Sequence, residues 1–151
     1  LKDAGKVRDF GVVNFSPDQI RAMSRFYPIT SHQSELSITY LDPLLDGTLD
    51  TCMAHNITPM SWSPIGGKMI FTNTKAGRAR EKKFNEYAET KGWTITEMAL
   101  LFLFHHPAGI RPVINQSKAD KFREAVELSH MQLSNEEWFE LFILFHGGEL
   151  N

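Results

Sequence analysis

The sequence contains one cysteine, no long apolar run and almost no net charge, and each of these shortages excludes a class of protein. Cys52 has no second cysteine with which to form an internal disulfide, which favours a reducing compartment, the cytoplasm. No stretch reaches the ~18 consecutive apolar residues of a membrane helix. A formal net charge of −2 gives no broad attraction for nucleic acid or for acidic membranes.

The remaining totals are those of an ordinary soluble globular domain. The chain has 151 residues, of which 42% are hydrophobic and 23% are charged, close to average values. A chain of this length buries roughly 70% of its unfolded surface and can form one domain with a core. It opens at Leu1, without methionine and inside a charged stretch, and from this we expect it to be part of a longer chain.

Strand-like segments alternate with helical segments along the chain. Strands are predicted at residues 7–13, 28–35, 57–62 and 111–114. Helix starts are marked by an N-cap at Ser16, before Pro17, by capping boxes at Thr94 and Ser134, and by Ser117. This alternation favours an α/β fold with a parallel sheet. Four strands are too few for a closed eight-stranded barrel, which needs roughly 200 residues or more.

Two further helices complete the predicted elements. One spans about residues 78–91 and ends at Gly92. The other spans about residues 43–55, and its helical spacing predicts a buried face made of Leu44, Leu45, Leu49 and Met53.

Candidate binding residues follow the predicted strands. In parallel α/β folds the ligand groups lie in the loops after the carboxyl ends of the strands. Those loops carry amides, hydroxyls, glycines and one indole: Asn14 and Phe15, residues 33–35, residues 62–67 and residues 115–117. Such groups can hold a planar ring bearing an amide and, through backbone N–H groups at Ser63, Gly66 and Ser117, a phosphate. They are not groups that make or break bonds.

Several of these residues also have a purely structural interpretation. Trp62 is as consistent with a core position as with a stacking platform, and Ser117 is first of all a helix cap. Cys52 fits a small buried apolar residue better than a reactive thiol. The histidine pair at 105–106 is more consistent with the C-terminal end of a helix than with a metal ligand pair or a catalytic base. The aromatic stripe at 138–145 fits a core helix better than a partner-binding helix.

Four segments resemble the aldo-keto reductase family, in order and at the family spacing. Residues 5–15 (GKVRDFGVVNF) are similar to its "GKVRxxGVSNF", and residues 32–35 (HQSE) to its "NQxE". Residues 59–67 (PMSWSPIGG) resemble "(A/S)(Y/W)SPLGGG", and residues 113–117 (VINQS) take the place of "IPKS" or "IIGSG". The resemblance covers residue 1 to about residue 140.

The resemblance implies a fold and a cofactor. The family fold is a (β/α)₈ barrel, and residues 1–151 resemble its C-terminal portion, about four βα units that correspond to strands five to eight with additional helices. The implied cofactor is NADP, as NADPH. Its expected contacts are Asn14 and Gln33 on the nicotinamide carboxamide, Trp62 on the ring, Ser63, Ile65 and Gly66 on the pyrophosphate, and Gln116, Ser117 and Lys121 near the 2′-phosphate.

This chain departs from the family pattern in three ways. Val13 stands where the family has serine, which removes one partner of the carboxamide, and Gln116 stands where the family has lysine or glycine-serine. The family's catalytic Asp, Tyr, Lys and His all belong to the first half of the barrel, and none maps onto this sequence. Neither Tyr27 nor Tyr40 falls in a matching motif. The resemblance therefore implies no catalytic residue in this chain.

Three functions remain open at this point. The first is a fragment of an NADPH-dependent reductase acting on a small carbonyl substrate, inactive alone. The second is a stand-alone, non-catalytic half barrel that binds nucleotides or assembles with others. The third is a truncated product without function. In either half-barrel case the first and last strands lack a neighbour, so we expect self-association through the exposed sheet edges.

Overall fold

A four-stranded parallel sheet organises the chain in the computed structural model, which describes residues 1–66, 73–115 and 119–147, with the backbone alone for Lys121. The strands lie in the order in which they occur, β1-β2-β3-β4, and neighbours pair in parallel. They are β1 (Gly11–Val13), β2 (Ser31–Glu35), β3 (Thr58–Trp62) and β4 (Arg111–Pro112). Sequential parallel order with a helix between strands confirms the predicted α/β fold.

Helices connect and follow the strands. The described residues form α1 (Pro17–Ser24), α2 (Asp42–Leu45), α3 (Thr48–Ala54), α4 (Lys75–Lys91), α5 (Ile95–Phe104), α6 (Ala119–Leu128) and α7 (Asn135–His146). Ser16, Thr94 and Ser134 each cap a helix through a complete capping box. Gly92 ends α4 with φ 71°, a left-handed conformation that glycine adopts at little cost. These start and stop signals were predicted correctly because they depend only on neighbouring residues.

Among the described residues, helices cover one of the two faces of the sheet. Register places Val12 beside His32 and Pro59, and places Val13 beside Gln33 and Met60 on the opposite face. Val12 packs against a buried cluster that includes Ile20 of α1 and Cys52 of α3, so its face of the sheet is the one that the helices cover. Val13 is 55% exposed. The described residues therefore cover one face of the sheet with helices and leave its other face accessible at β1.

Helix α5 lies at the centre of the larger core. Its residues from Met98 to Leu103 are all buried. Helix α7 docks on it through Trp138, whose ring stacks on Phe102 with centroids 4.9 Å apart and whose Nε1 donates to the Phe102 carbonyl at 2.9 Å. Leu141 and Phe142 are buried in the same contact. This confirms the core interpretation of the aromatic stripe at 138–145.

The strands are shorter than predicted. Residues 7–10, 28–30, 57 and 113–114 lie outside them. A strand requires a hydrogen-bonded neighbour, and β2 begins only at Ser31, after Pro28. Residues 7–9 therefore have no ladder to join, although the Phe10 carbonyl still accepts the Thr30 N–H at 2.9 Å.

The predicted helix at 43–55 is wrong as one element. Gly47, with φ 84°, separates α2 from α3 and resets the helical phase between them. Leu45 on α2 and Met53 near the end of α3 are exposed, whereas Leu49 and Cys52 on α3 are buried, so the predicted buried face is wrong at Leu45 and Met53. A regular apolar spacing across Gly47 concealed the break.

No helix among the described residues is long and apolar enough to cross a membrane.

Candidate functional site

The carboxyl ends of β1 and β3 bring an amide and an indole into contact. Asn14 directly follows β1, Trp62 is the last residue of β3, and the Trp62 Nε1 donates to the Asn14 Oδ1 at 3.1 Å. An indole N–H can only donate, so the amide oxygen must face it and the amide nitrogen must point elsewhere. This bond joins residues 48 apart in sequence and fixes which end of the Asn14 amide is offered to a ligand.

The backbone at Asn14 is held from β2. Asn14 has φ 55°, in the left-handed region that few non-glycine residues occupy. Its N–H donates to the Gln33 carbonyl at 2.8 Å. The next N–H, that of Phe15, donates to the His32 Nε2 at 3.2 Å. Two consecutive residues of β2 thus hold two consecutive amides of the loop.

Gln33 lies in the same region as Asn14. It pairs with Val13 in register and belongs to the face opposite the helices. Its side chain is half-buried, and no described residue bonds to its amide. Of the residues predicted to contact a cofactor, Asn14 and Trp62 lie at the carboxyl ends of β1 and β3, and Gln33 lies within β2, beside the end of β1 and on the same face as Trp62.

The residues predicted to contact a pyrophosphate are more dispersed. Ser63 is exposed, with φ 52°, and its carbonyl accepts the Gly66 N–H at 2.9 Å in a tight turn. Gly66 itself is buried. Ile65 is half-buried beside residues of α5 and α6, including Leu100 and Leu128. Only Ser63 of this set is on the surface beside Trp62.

The remaining predicted contacts lie outside the described part of the structure. Gln116 and Ser117 precede α6 and are not described, and the same holds for the side chain of Lys121, whose backbone belongs to α6. Gly67, in the predicted glycine pair, also lies outside it.

A cavity of about 400 Å³ lies beside Trp62 and Asn14, and residues of β2 form part of its lining. Three of the residues that line it are acidic, namely Glu35, Asp42 and Asp46, and none of its lining residues is Lys or Arg. Tyr40 also lines it, and a hydrogen bond to Asp42 raises the pKa of that phenol. These acidic residues were not among the predicted site residues, although the two aspartates within residues 42–46 were a signal for them.

His32 is a second residue that the sequence analysis missed. It is 1% exposed and lies under the Asn14 loop. Burial lowers the pKa of its imidazole from the ordinary value of 6.5. Its place immediately before Gln33, in a segment where the family has asparagine, was the available signal.

The cysteine and the histidine pair that were considered as reactive or metal-binding groups have structural roles. Cys52 is 0% exposed, and burial raises the pKa of its thiol to about 11, which confirms the buried apolar interpretation. His105 accepts the Leu133 N–H at 3.4 Å, and His106 accepts the Ala108 N–H at 3.2 Å. Within the ranges that the structure describes, no group of three His, Cys, Asp or Glu side chains is arranged to hold a metal ion.

Comparison with known proteins identifies relatives of the whole chain. The model of the Aldo/keto reductase family matches residues 1–142. The chain is 36% identical to the uncharacterized oxidoreductase YcsN of Bacillus subtilis, over 99% of this chain and 51% of that protein. It is 33% identical to a 6-dehydroglucose reductase of Novosphingobium aromaticivorans, over 97% of this chain and 49% of that protein.

Structural comparison gives the same fold. The thermostable aldo-keto reductase Tm1743, solved in complex with the inhibitor epalrestat, superposes with a TM-score of 0.78 at 24% identity. The match covers 94% of this chain and 50% of that one. The chain thus spans about half the length of the relatives it matches.

Proposed function

This chain belongs to the aldo/keto reductase family, and on that premise we propose that it is the cofactor-binding half of an NADPH-dependent carbonyl reductase. In this proposal its four βα units are one half of a (β/α)₈ barrel. The observation that carries the proposal is the Trp62–Asn14 hydrogen bond, because it orients an amide and a flat ring side by side at the carboxyl edge of the sheet. The oxidoreductase names of the relatives support this function over a stand-alone nucleotide-binding module.

The residues at this edge fit a nicotinamide. A carboxamide presents one acceptor and a pair of donors, so its binding site needs at least one donor and one acceptor. Asn14 offers its amide nitrogen as the donor, since Trp62 already occupies one side of its oxygen. Gln33 supplies an acceptor and donors from the neighbouring strand. Trp62 supplies the aromatic face against which a planar ring can stack.

Charge sets the direction in which the rest of the cofactor would extend. The cavity on the β2 side contains three carboxylates and no cationic lining residue, so it repels a diphosphate. The phosphates would therefore run the other way, past the exposed Ser63. The preference for NADPH over NADH rests on the family resemblance of Gln116, Ser117 and Lys121.

In this proposal the chain's residues bind and orient the cofactor, and the proton donor comes from elsewhere. Asn14, Gln33 and Trp62 would hold the nicotinamide, whose chemistry would be to supply a hydride to the carbonyl carbon of an aldehyde or ketone, and the carbonyl oxygen would need a proton. Tyr40 is a poor donor because its hydrogen bond to Asp42 raises its pKa. Tyr27 packs edge-on against Phe10, with centroids 4.7 Å apart, and lines none of the cavity beside Trp62. We therefore propose that the chain alone is inactive.

The test separates binding from turnover. NADPH is titrated into the 151-residue chain by calorimetry, and its oxidation is then followed with a panel of aldehydes and ketones. We expect saturable binding and turnover below ~1% of the usual 1–10³ s⁻¹. Turnover above that level would show that the chain has a proton donor of its own. No binding at millimolar NADPH would refute the cofactor site.

A further inference from the structure

We propose that His32 is a positioning residue of the candidate site, which holds Asn14 in its left-handed conformation by accepting the N–H of the following residue. The inference rests on the proposed function, since it concerns how the Asn14 amide is prepared for a ligand. The Phe15 N–H donates to the His32 Nε2 at 3.2 Å, 17 residues away in sequence. His32 itself does not need to touch the ligand.

The Asn14 loop needs such an anchor. Asparagine adopts the left-handed backbone more readily than most non-glycine residues, and the contacts of the loop hold Asn14 in that one conformation. One anchor is the Asn14 N–H on the Gln33 carbonyl, at 2.8 Å, a backbone bond that almost any residue at position 33 would make. The second anchor depends on the side chain at position 32. Position 32 is therefore where the sequence controls the orientation of the loop.

The second anchor requires a neutral imidazole. A nitrogen that accepts an N–H must carry a lone pair, so the ring proton must be on Nδ1. Protonation of Nε2 would set two donors against each other at 3.2 Å. Nδ1 has no hydrogen-bond partner among the described residues, so no described acceptor bonds to its proton.

Burial and the nearby charge of Asp46 shift the pKa of His32 in opposite directions. Burial lowers its pKa, and the Asp46 carboxylate raises it by a smaller amount. Cys52, on α3, is neutral because its own pKa is about 11. The other charged groups on the packed elements are Glu35 on β2, Asp42 on α2, Asp50 on α3, and the Asp18–Arg21 pair on α1. Because the folded pKa is depressed, the neutral ring and its bond are present at neutral pH and are lost only as the pH falls through the lowered pKa.

Two substitutions at His32 distinguish the effect of losing the hydrogen-bond acceptor from the effect of changing the side-chain volume. His32→Gln places an amide oxygen near the position of Nε2, and this side chain does not titrate. His32→Leu introduces an apolar side chain that has no acceptor. His106→Leu is the matched control, because His106 also accepts a backbone N–H, from Ala108, but does so at the end of α5.

The first readout needs no ligand and is taken on the 151-residue chain by NMR. His32→Leu is expected to speed the hydrogen exchange of the Phe15 amide at least tenfold and to shift the Trp62 indole N–H resonance. His32→Gln should leave both near the wild-type values and should abolish their change as the pH falls through the lowered pKa of His32. His106→Leu should leave both unchanged.

The second readout is the dissociation constant of NADPH. We expect His32→Leu to weaken binding about tenfold, and His32→Gln to weaken it no more than threefold while removing its loss at low pH. If His32→Leu leaves the Phe15 exchange and the Trp62 resonance unchanged, or if His32→Gln loses as much as His32→Leu, the positioning role is refuted. If the wild-type chain binds no NADPH while the ligand-free readouts behave as expected, the proposed function fails and the positioning role stands.

Discussion

Replacing Trp62 by phenylalanine keeps an aromatic ring at the end of β3 but removes the indole N–H that Asn14 accepts at 3.1 Å. A net hydrogen bond of this kind contributes about 0.5–1.5 kcal/mol. Without it the Asn14 amide can rotate, and the energy that oriented its nitrogen toward a ligand is lost from binding. At 1.4 kcal/mol per tenfold change this corresponds to a rise in the NADPH dissociation constant of about 2- to 12-fold. Trp62→Ala also removes the stacking face, worth about 0.5–1.5 kcal/mol more.

Calorimetric titration of NADPH measures both variants, since the tryptophan signal itself is changed by the substitution. Trp138→Phe is the matched control, because it removes an indole N–H that donates at 2.9 Å to a backbone carbonyl in the α5–α7 contact. We expect it to lower the free energy of unfolding by about 1 kcal/mol and to leave NADPH binding unchanged. If Trp62→Phe binds as tightly as the wild type, the orientation argument is wrong, and if Trp62→Ala does so too, Trp62 is not part of the site.

Two further predictions concern assembly and pH. The chain alone should dimerise into a barrel-like assembly or aggregate at micromolar concentration, because β1 and β4 have no outer neighbour among the described residues and Val13 is exposed; sedimentation showing a monodisperse 17.2 kDa species with a cooperative melt would contradict this. The Glu137 carboxylate accepts the Ser134 N–H and pairs with Lys91 at 3.2 Å. Both contacts stabilise the charged form and hold the pKa of Glu137 below 4.5. Its contribution to stability should therefore be present above pH 4.5 and be lost as the pH falls through the lowered pKa, and urea unfolding of Glu137→Gln should show a weaker acid dependence.

Local signals made most of the secondary structure predictable. The capping boxes at Thr94 and Ser134 involve residues three apart, so the sequence alone contains both partners. The break at Gly47 was missed because the apolar spacing continues across it. Strand ends were misplaced because they depend on which residues lie opposite, as at residues 7–9, where β2 has not yet begun.

For the candidate site, the sequence predicted which residues lie near one another but not how their side chains are oriented. Asn14, Gln33 and Trp62 could be expected to meet, since the carboxyl ends of parallel strands share one edge of a sheet. The Trp62–Asn14 bond and the contact of His32 with Phe15 could not, because they join residues 48 and 17 apart whose side-chain directions are set by packing. The contact of Ile65 with a phosphate was inferred from the motif alone and stays a prediction; Ile65 lines a cavity together with residues of α5 and α6.

The central claim, that a nicotinamide cofactor binds where β1, β2 and β3 end, is tested most directly by NMR titration of NADPH into the isotope-labelled chain. The side-chain amide resonances of Asn14 and Gln33 and the indole N–H of Trp62 should shift together, saturably and with one dissociation constant. The side-chain N–H of Trp138, which is bonded to α5, should not move. Saturable binding that shifts other resonances and leaves those of Asn14, Gln33 and Trp62 in place would contradict the account.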